Sequence, residues 1–334
     1  MFFSHEGAVS VTQALNRSVR NMPKYLVGTL LAGSIATAGA QSPHSIVSPT
    51  KLRYETLVTD GLPRASDARL PNGEQIFSSP TTSILIYGNT DALLVDPPMS
   101  IKQTQQIVDW IVHSGKHLKY IYSTHGHGDH WFGTKQVIEA FPGAKPYATP
   151  DSIRLMQSQA TVARQKVYDV DFPGQIGETP ILAQPMPAGG LDLEGNAILA
   201  VDVGHTDTEG TSVLYVPSLR LVAAGDSVYN GVHQYLLEGG KGGLDAWLAA
   251  LDKVESLNPQ FVISGHKNRA LPDDPSTIAE TRQYILNAKR ILATQPGPLS
   301  YYNQMLALYP IRLNPGPLWY SGVGLLKQWT KPTQ

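Results

Sequence analysis

Between Ser123 and Gly133 the chain reads STHGHGDHWFG, which places His125, His127, Asp129 and His130 within six residues. The whole chain of 334 residues holds only ten histidines, so three of them beside a carboxylate is a concentration that asks for a chemical reason. Imidazole nitrogen and carboxylate oxygen together make a donor set for divalent cations. At the end of an extended strand, residues two apart project to the same side, so His125 and His127 can aim at one point. Asp129 and His130, where a helix is expected to begin, can aim at a neighbouring point. Gly126 and Gly128 are expected to let the backbone turn tightly between them.

Three more candidates each close a β-rich run and each follow a glycine: His205 after LAVDVG, Asp226 after LVAAG and His266 after FVISG. One such histidine alone reads as a packed loop residue. Three of them, with the first cluster, read as strand ends converging at one sheet edge, where α/β architectures place their sites. Five imidazoles and two carboxylates suit two borderline-soft divalent ions, Zn²⁺ first, with Mn²⁺, Fe²⁺ and Co²⁺ left open. Bound to such an ion, water falls in pKa from about 15.7 to about 7, which provides hydroxide at neutral pH. The reaction class is hydrolysis, with Asp129 or Asp226 able to pass a proton to the leaving atom.

Composition agrees by exclusion. Cysteine is absent, which removes disulfides, thiol nucleophiles and thiolate metal sites. Formal net charge is −1, without the basic face that a nucleic-acid binder needs. With 42% hydrophobic and 16% charged residues, the chain has the profile of a folded domain with a sizeable core.

The elements that would position these residues follow from pattern. TSILIYGNTDALLVD predicts two strands joined at Gly88-Asn89-Thr90. Ser100 can cap a helix with Ile101, Ile107, Val108, Ile111 and Val112 on one face. Leu118–Thr124 is a short buried strand running into the histidine cluster, followed by a helix at TKQVIEAF and another over 151–168. The Pro- and Gly-rich stretch 169–192 reads either as a pocket wall that Phe172, Ile176, Leu182 and Met186 make apolar or as an ordinary loop anchored by them. Strands at 197–204, 211–217, 219–226 and 260–266 and helices at 243–257 and 273–293 complete the body. β-rich starts and helical ends in both halves suggest an α/β fold of two stacked sheets with helices outside, a four-layer αββα sandwich.

The ordered pattern His125-x-His127-x-Asp129-His130, then His205, Asp226 and His266, resembles the metallo-β-lactamase superfamily from about residue 52 to about 292. The resemblance implies that His125, His127 and His205 hold one zinc, that Asp129, His130 and His266 hold a second, and that Asp226 bridges them. It implies further that Asp96 supports the metal loop without ligating. A bridging Asp226 is similar to lactonases and glyoxalase II-type thioesterases, whereas true metallo-β-lactamases lack it. Tyr229, three residues on, matches an Asp-x-x-Tyr of acyl-homoserine-lactone lactonases, so its phenol is either an oxyanion donor or packing under the metal loop. His233 is either a pocket or a rim residue. The expected activity is opening of a lactone or ester carbonyl of a small apolar substrate by a metal-bridging hydroxide, with a β-lactam or thioester as the alternative. A redox enzyme on the same fold and a catalytically silent binder are the competing classes; no sequence remains for a flavin domain, and the full ligand set speaks against silence.

At the N-terminus, Lys24 precedes YLVGTLLAGSIATAGA, an apolar run closing on Ala38-Gly39-Ala40. This is the pattern of a cleaved export signal, with cleavage expected after Ala40 and Met22 as an alternative start. A retained anchor is the other reading, although about 16 residues is short against the roughly 20 of a span. Residues 1–40 are therefore read as extension and signal peptide, and 41–334 as one domain with an aromatic helical tail. The product would be secreted or periplasmic, acting on a small molecule, without a stable membrane span, and with homo-oligomerisation left open.

Overall fold

Valine-, isoleucine- and leucine-rich runs without polar alternation mark strands covered on both faces, and two of them, β2 (Thr81–Tyr87) and β3 (Asp91–Val95), form the expected hairpin. The computed structural model describes residues 49–178 and 180–329; the expectations for the first 40 residues lie outside them. The first sheet runs β1 (Arg53–Thr59), β2, β3, β4 (His117–Tyr122), β5 (Lys145–Ala148) and β6 (Gln184–Pro185). Its β1–β2–β3 part is antiparallel, and β3, β4, β5 and β6 are parallel. The second sheet has the order β11 (Phe261–Lys267), β10 (Leu221–Asn230), β9 (Thr211–Val216), β8 (Asn196–Gly204) and β7 (Leu191–Leu193), with only β10–β11 parallel.

Burial defines the layers. Ile84, Ile86, Leu93, Val95 and Tyr122 of the first sheet meet Leu214, Val216, Leu221, Ala223 and Ile263 of the second. The outer face of the first sheet packs Leu85, Leu94 and Ile121 on Ile107 and Ile111 of α1 (Ile101–Ser114) and Val137 of α2 (Thr134–Ala140). On the far side, Val213, Val222 and Val262 pack beneath α5 (Gly243–Ser256) and α6 (Ser276–Leu292). The same core takes Tyr301 and Met305 of α7 (Pro298–Leu308) and Leu318 and Leu325 of α8 (Gly316–Trp329), so the tail completes it. The result is the four-layer αββα sandwich.

Local chemistry explains the element boundaries. Ser100 and Gln103 form a reciprocal capping box at the start of α1, and Gly115 closes the helix at φ +66°. Ile101 and Val112, grouped on sequence with the buried stripe, are exposed. Glu194, in the β7–β8 turn, accepts the amides of Asn89, Thr90 and Asp91 at 2.9, 2.7 and 2.7 Å, tying the first sheet's hairpin to the second sheet. Slight burial works upward on this carboxyl, yet the three amides bring its pKa down to about 2.

Between the sheets' C-terminal edges the chain departs from its sequence pattern. The helix expected over 151–168 is α-helical only in α3 (Pro150–Ser158); Gln159–Tyr168 is π-helical, and α4 (Asp169–Asp171) ends it. No helix among the described residues is long and apolar enough to cross a membrane.

Candidate metal centre

β4 ends at Tyr122, and Asp96, just beyond β3, seizes the next residues. Asp96 Oδ1 accepts the Thr124 amide at 2.8 Å, and its Oδ2 accepts the Thr124 hydroxyl at 2.8 Å and His130 Nδ1 at 3.0 Å. A carboxylate can only accept, so His130 carries a proton on Nδ1 and turns Nε2 inward. The same logic fixes three more rings. Thr124 Oγ1 has given its proton to Asp96, so at 3.1 Å it accepts from His125 Nδ1. His127 Nε2 donates to Glu238 at 3.0 Å, and His266 Nδ1 to the Pro80 carbonyl at 2.8 Å. Four imidazoles thus each anchor one nitrogen on an outer acceptor and turn the other toward a shared interior.

The carboxylates meet them there. Asp226 Oδ1 lies 3.3 Å from His130 Nε2, and its Oδ2 lies 3.1 Å from His266 Nε2. Asp129 Oδ2 is 3.9 Å from His130 Nε2 and 3.5 Å from His266 Nε2. Asp207 Oδ2 is 2.8 Å from His127 Nδ1 and 3.6 Å from His125 Nε2. Donor atoms on a tetrahedral zinc with bonds of 2.0–2.1 Å stand about 3.3 Å apart, which is the scale of these separations. His125 Nε2, His130 Nε2, Asp207 Oδ2 and Asp226 Oδ1 are all buried and have no hydrogen-bond partner, close contacts notwithstanding. Buried polar atoms left so are costly, and a cation is what satisfies lone pairs pointing at lone pairs.

Electrostatics supports the same fit. Burial pulls the His130 imidazolium down, but Asp226, Asp129 and Asp96 raise its pKa to about 10. Burial works likewise on His127, and Asp207 and Glu238 still lift it well above the ordinary histidine value. Asp226 is held well below the carboxylate range: burial opposes ionisation, but His266 and His130 overcome it. The cluster attracts positive charge strongly.

Six of the seven sequence candidates, His125, His127, Asp129, His130, Asp226 and His266, fall in three overlapping groups whose donor atoms lie within 4.8 Å of one another. His205 does not. Its Nδ1 contacts Glu209 at 3.0 Å, outside these groups, and Asp207 stands with His125 and His127 instead. Asp226 does not close a strand; β10 continues to Asn230 with a register shift on either side of Gly225. Gly126 and Gly128 have ordinary φ, and their reason is space: a Cβ would strike Leu155 at 2.5 Å and Phe132 at 2.3 Å. At Gly265 a Cβ would meet Asp226 Oδ1 at 2.5 Å, so only glycine lets β11 come this close to the cluster.

Residues 78–266 match the sequence profile of the metallo-beta-lactamase superfamily, more than half of the chain. The chain belongs to that superfamily. A hydroxyacylglutathione hydrolase of Prochlorococcus marinus (strain NATL1A) is 24% identical over 220 residues, 65% of this chain and 70% of the relative. Among solved structures, a metallo-beta-lactamase family protein from Thermus thermophilus is similar with TM-score 0.54 and 16% identity, covering 82% of this chain and 93% of that one. A metallo-beta-lactamase from Pontibacter korlensis follows with TM-score 0.50 and 17% identity, covering 72% and 97%. The chain is thus a hydrolase of the metallo-beta-lactamase superfamily, with His/Asp groups that can hold metal.

Tyr229 takes the packing alternative. It is fully buried between Trp247 and His266, does not line the cavity, and donates to Asp226 Oδ2 at 2.6 Å. It holds a carboxylate rather than an oxyanion. Tyr229→Phe is therefore expected to weaken cation binding about 10- to 100-fold, with KM little changed at saturating metal. Calorimetric cation titration beside steady-state kinetics checks this; a raised KM with unaltered cation affinity would return the phenol to the substrate.

The phenols that do face the cavity are Tyr168, at the end of the π-helical stretch, Tyr235 and Tyr320. Neither a motif nor a spacing marks them. Of the expected wall residues only Phe172 lines the cavity; Ile176 is buried beside Met99 and Trp131, Met186 packs on the inter-sheet core, and Leu182 is exposed.

His233 is neither pocket nor rim. It is buried, 3.0 Å from the Tyr284 hydroxyl, and burial with Arg312 nearby lowers its pKa to about 3. Unfolded, a histidine titrates near 6.5. Below that pH the unfolded chain takes a proton that the folded chain refuses, so stability falls as pH drops toward 3. At pH 4.5 this group is expected to cost about 2–3 kcal/mol. His233→Gln should lose less melting temperature than wild type between pH 7.5 and 4.5, and equal losses would contradict the assignment.

Proposed function

We propose that this chain hydrolyses a lactone or ester carbonyl of a small, largely apolar and uncharged substrate, using two zinc ions per chain. The observation that carries the reading is a cavity of about 260 Å³ in which Asp129, Asp226 and His266 face Met99, Val167, Phe172 and the three phenols. His125, His127, Asp129, His130, Asp226 and His266 would hold the ions, with Asp226 near both positions. Such ions supply Lewis-acid polarisation of an acyl oxygen and a water of lowered pKa.

The chain's own groups do the rest. The Tyr168 hydroxyl accepts the Gly128 amide at 2.9 Å, which orients the phenol and leaves its proton for another acceptor. Burial, with Asp129 nearby, pushes Tyr168 well above the ordinary phenol value; burial and Glu238 do the same to Tyr235. Both remain donors at physiological pH, suited to a carbonyl oxygen as it gains charge. Asp129, half-buried at the cavity wall, is placed to carry a proton toward the leaving oxygen.

Charge selects among substrates. Arg64 is the one Arg or Lys lining the cavity, and its guanidinium is committed to Asp171 at 2.8 Å and stacked over Tyr320 at 4.8 Å. A polyanionic substrate finds no free cation among the described residues of this wall. Thioester hydrolysis is the second reading, favoured by the likeness to a hydroxyacylglutathione hydrolase. The N-terminal pattern adds export across a membrane to the proposal, with cleavage after Ala40.

The test is a panel of homoserine lactones with different acyl chains, aryl esters, thioesters and a chromogenic cephalosporin, each with a chelated control. Lactones or esters should turn over fastest, and chelation should abolish that turnover. Preference for glutathione thioesters or the cephalosporin, or turnover indifferent to chelation, rejects the reading.

A further inference from the structure

We propose that Asp207 Oδ2, not the His205 imidazole, completes the first cation subsite with His125 Nε2 and His127 Nδ1, making it a two-imidazole, one-carboxylate site. The inference rests on reading this cluster as a metal centre and names the ligand that the sequence resemblance misassigns.

The outer side of each of the three groups is already engaged. Thr206 Oγ1 donates to Asp207 Oδ1 at 2.9 Å, Thr124 holds His125 Nδ1, and Glu238 holds His127 Nε2 while its other oxygen accepts Thr208 Oγ1 at 2.7 Å. What remains free is the inner face: Asp207 Oδ2, fully buried and without a hydrogen bond, among the two inner imidazole nitrogens. A carboxylate oxygen buried between two inward-facing imidazole nitrogens is costly unless positive charge lies among them, and a divalent cation there engages all three atoms at once.

His205 is kept away by the backbone. Gly204 takes φ +99°, and the turn through 205–210 is closed by the Thr206 amide on the Thr208 carbonyl at 2.9 Å and by the Thr206 and Thr211 hydroxyls, which meet at 2.9 Å. That turn sends Asp207 inward and His205 toward Glu209 and the first residue of α5, where a Cβ on Gly243 would lie 2.5 Å from His205 Nε2. Exchanging the two side chains would mean rebuilding the turn.

The consequence is chemical. Asp129, Asp207 and Asp226 place three negative charges around two divalent ions, one more than the all-imidazole first subsite would have. Oxygen in place of nitrogen makes that subsite harder and shifts its relative preference from Zn²⁺ toward Mn²⁺, Fe²⁺ and Co²⁺.

The experiment loads the full chain, stripped by chelation, with Co²⁺ or Zn²⁺ and counts bound ions by native mass spectrometry and calorimetry. Wild type should bind two ions per chain. Asp207→Asn should bind one as wild type does and the other at least about 100-fold more weakly, the upper range for outer-shell losses; His205→Asn should bind both normally. Circular dichroism of the stripped proteins reports whether each variant folds. Should Asp207→Asn misfold, anomalous diffraction from Co²⁺-loaded wild type decides: cobalt bonded to Asp207 supports the proposal, and cobalt bonded to His205 overturns it. Loss of an ion in His205→Asn, or none in Asp207→Asn, overturns it as well, with the metal centre intact. Wild type binding no ion removes the metal-centre reading itself.

Discussion

Asp226→Asn should lose roughly 10³-fold in turnover of the preferred substrate, the scale of several kcal/mol of transition-state charge stabilisation. It should also bind cations more weakly at both subsites. Among the described carboxylates of the cluster, Asp226 meets the most imidazoles: it groups with His125 and His130, and its second oxygen lies 3.1 Å from His266 Nε2. The substitution is nearly isosteric, so the Tyr229 hydroxyl can still donate to the amide oxygen and the local packing is preserved. What changes is the other atom. An amide NH₂ replaces an oxygen at the position now 3.3 Å from His130 Nε2, and an NH₂ cannot ligate. The clearest readout is thermal. Cation binding stabilises the folded chain by RT ln(1 + [M]/Kd), so wild type should melt several degrees higher with added Zn²⁺. The variant should show little of that rise. Retention of the full zinc-induced shift, together with turnover within tenfold of wild type, would show that Asp226 does not join the two subsites.

The contrast between Asp226 and His205 shows how far the sequence alone reaches. Donor types and the β-rich runs that carry them were enough to gather six residues from three separate segments, although β10 runs on past Asp226 and β11 one residue past His266. The buried hairpin of β2 and β3 and the capping box at Ser100 were equally local, since each is decided within a few residues. His205 and Asp207 could not be separated that way. They stand two apart, so strand alternation assigns them the same side, and the choice falls to a turn set by Gly204 and by threonine hydroxyls bonding across it. Tyr229 was ambiguous for a related reason. Register shifts around Gly225 break the strand's alternation, and only the packed structure shows the phenol turned behind the carboxylate. Of the phenols at the cavity, Tyr168 and Tyr235 carry no local mark, and Tyr320 is marked only as part of an aromatic tail that could cover the pocket, pair with another subunit or complete the core. Tyr168 arrives through ten π-helical residues whose wider turn no apolar period announces, and Tyr320 arrives from α8, nearly two hundred residues beyond the histidine cluster. Long-range convergence of this kind depends on packing between layers, which single-segment patterns do not encode.

The second large effect is expected at Asp96, which touches no substrate and holds no cation. Two substitutions separate its roles. Asp96 sits at φ +52°, a left-handed conformation that asparagine tolerates and alanine resists. Asp96→Ala removes the acceptor for the Thr124 amide, the Thr124 hydroxyl and His130 Nδ1 together, all within the buried loop. At about 1–3 kcal/mol for each buried group left unpaired, and about 1–3 kcal/mol of backbone strain, it should unfold many degrees below wild type even when stripped of metal. Asp96→Asn keeps the backbone and can keep the Thr124 amide bond. Its NH₂, however, faces a donor at His130 Nδ1, and the ring relieves the clash by moving its proton to Nε2. That is the nitrogen directed at Asp226, and once protonated it no longer ligates. Asp96→Asn should therefore melt close to wild type without metal, yet bind cation about 10- to 100-fold more weakly and lose turnover in proportion at limiting zinc. Nitrogen-15 spectra of the zinc-loaded proteins report which His130 nitrogen carries the proton. An Asp96→Asn protein with the wild-type tautomer and wild-type cation affinity would show that the loop, and not the carboxylate behind it, orients the ring.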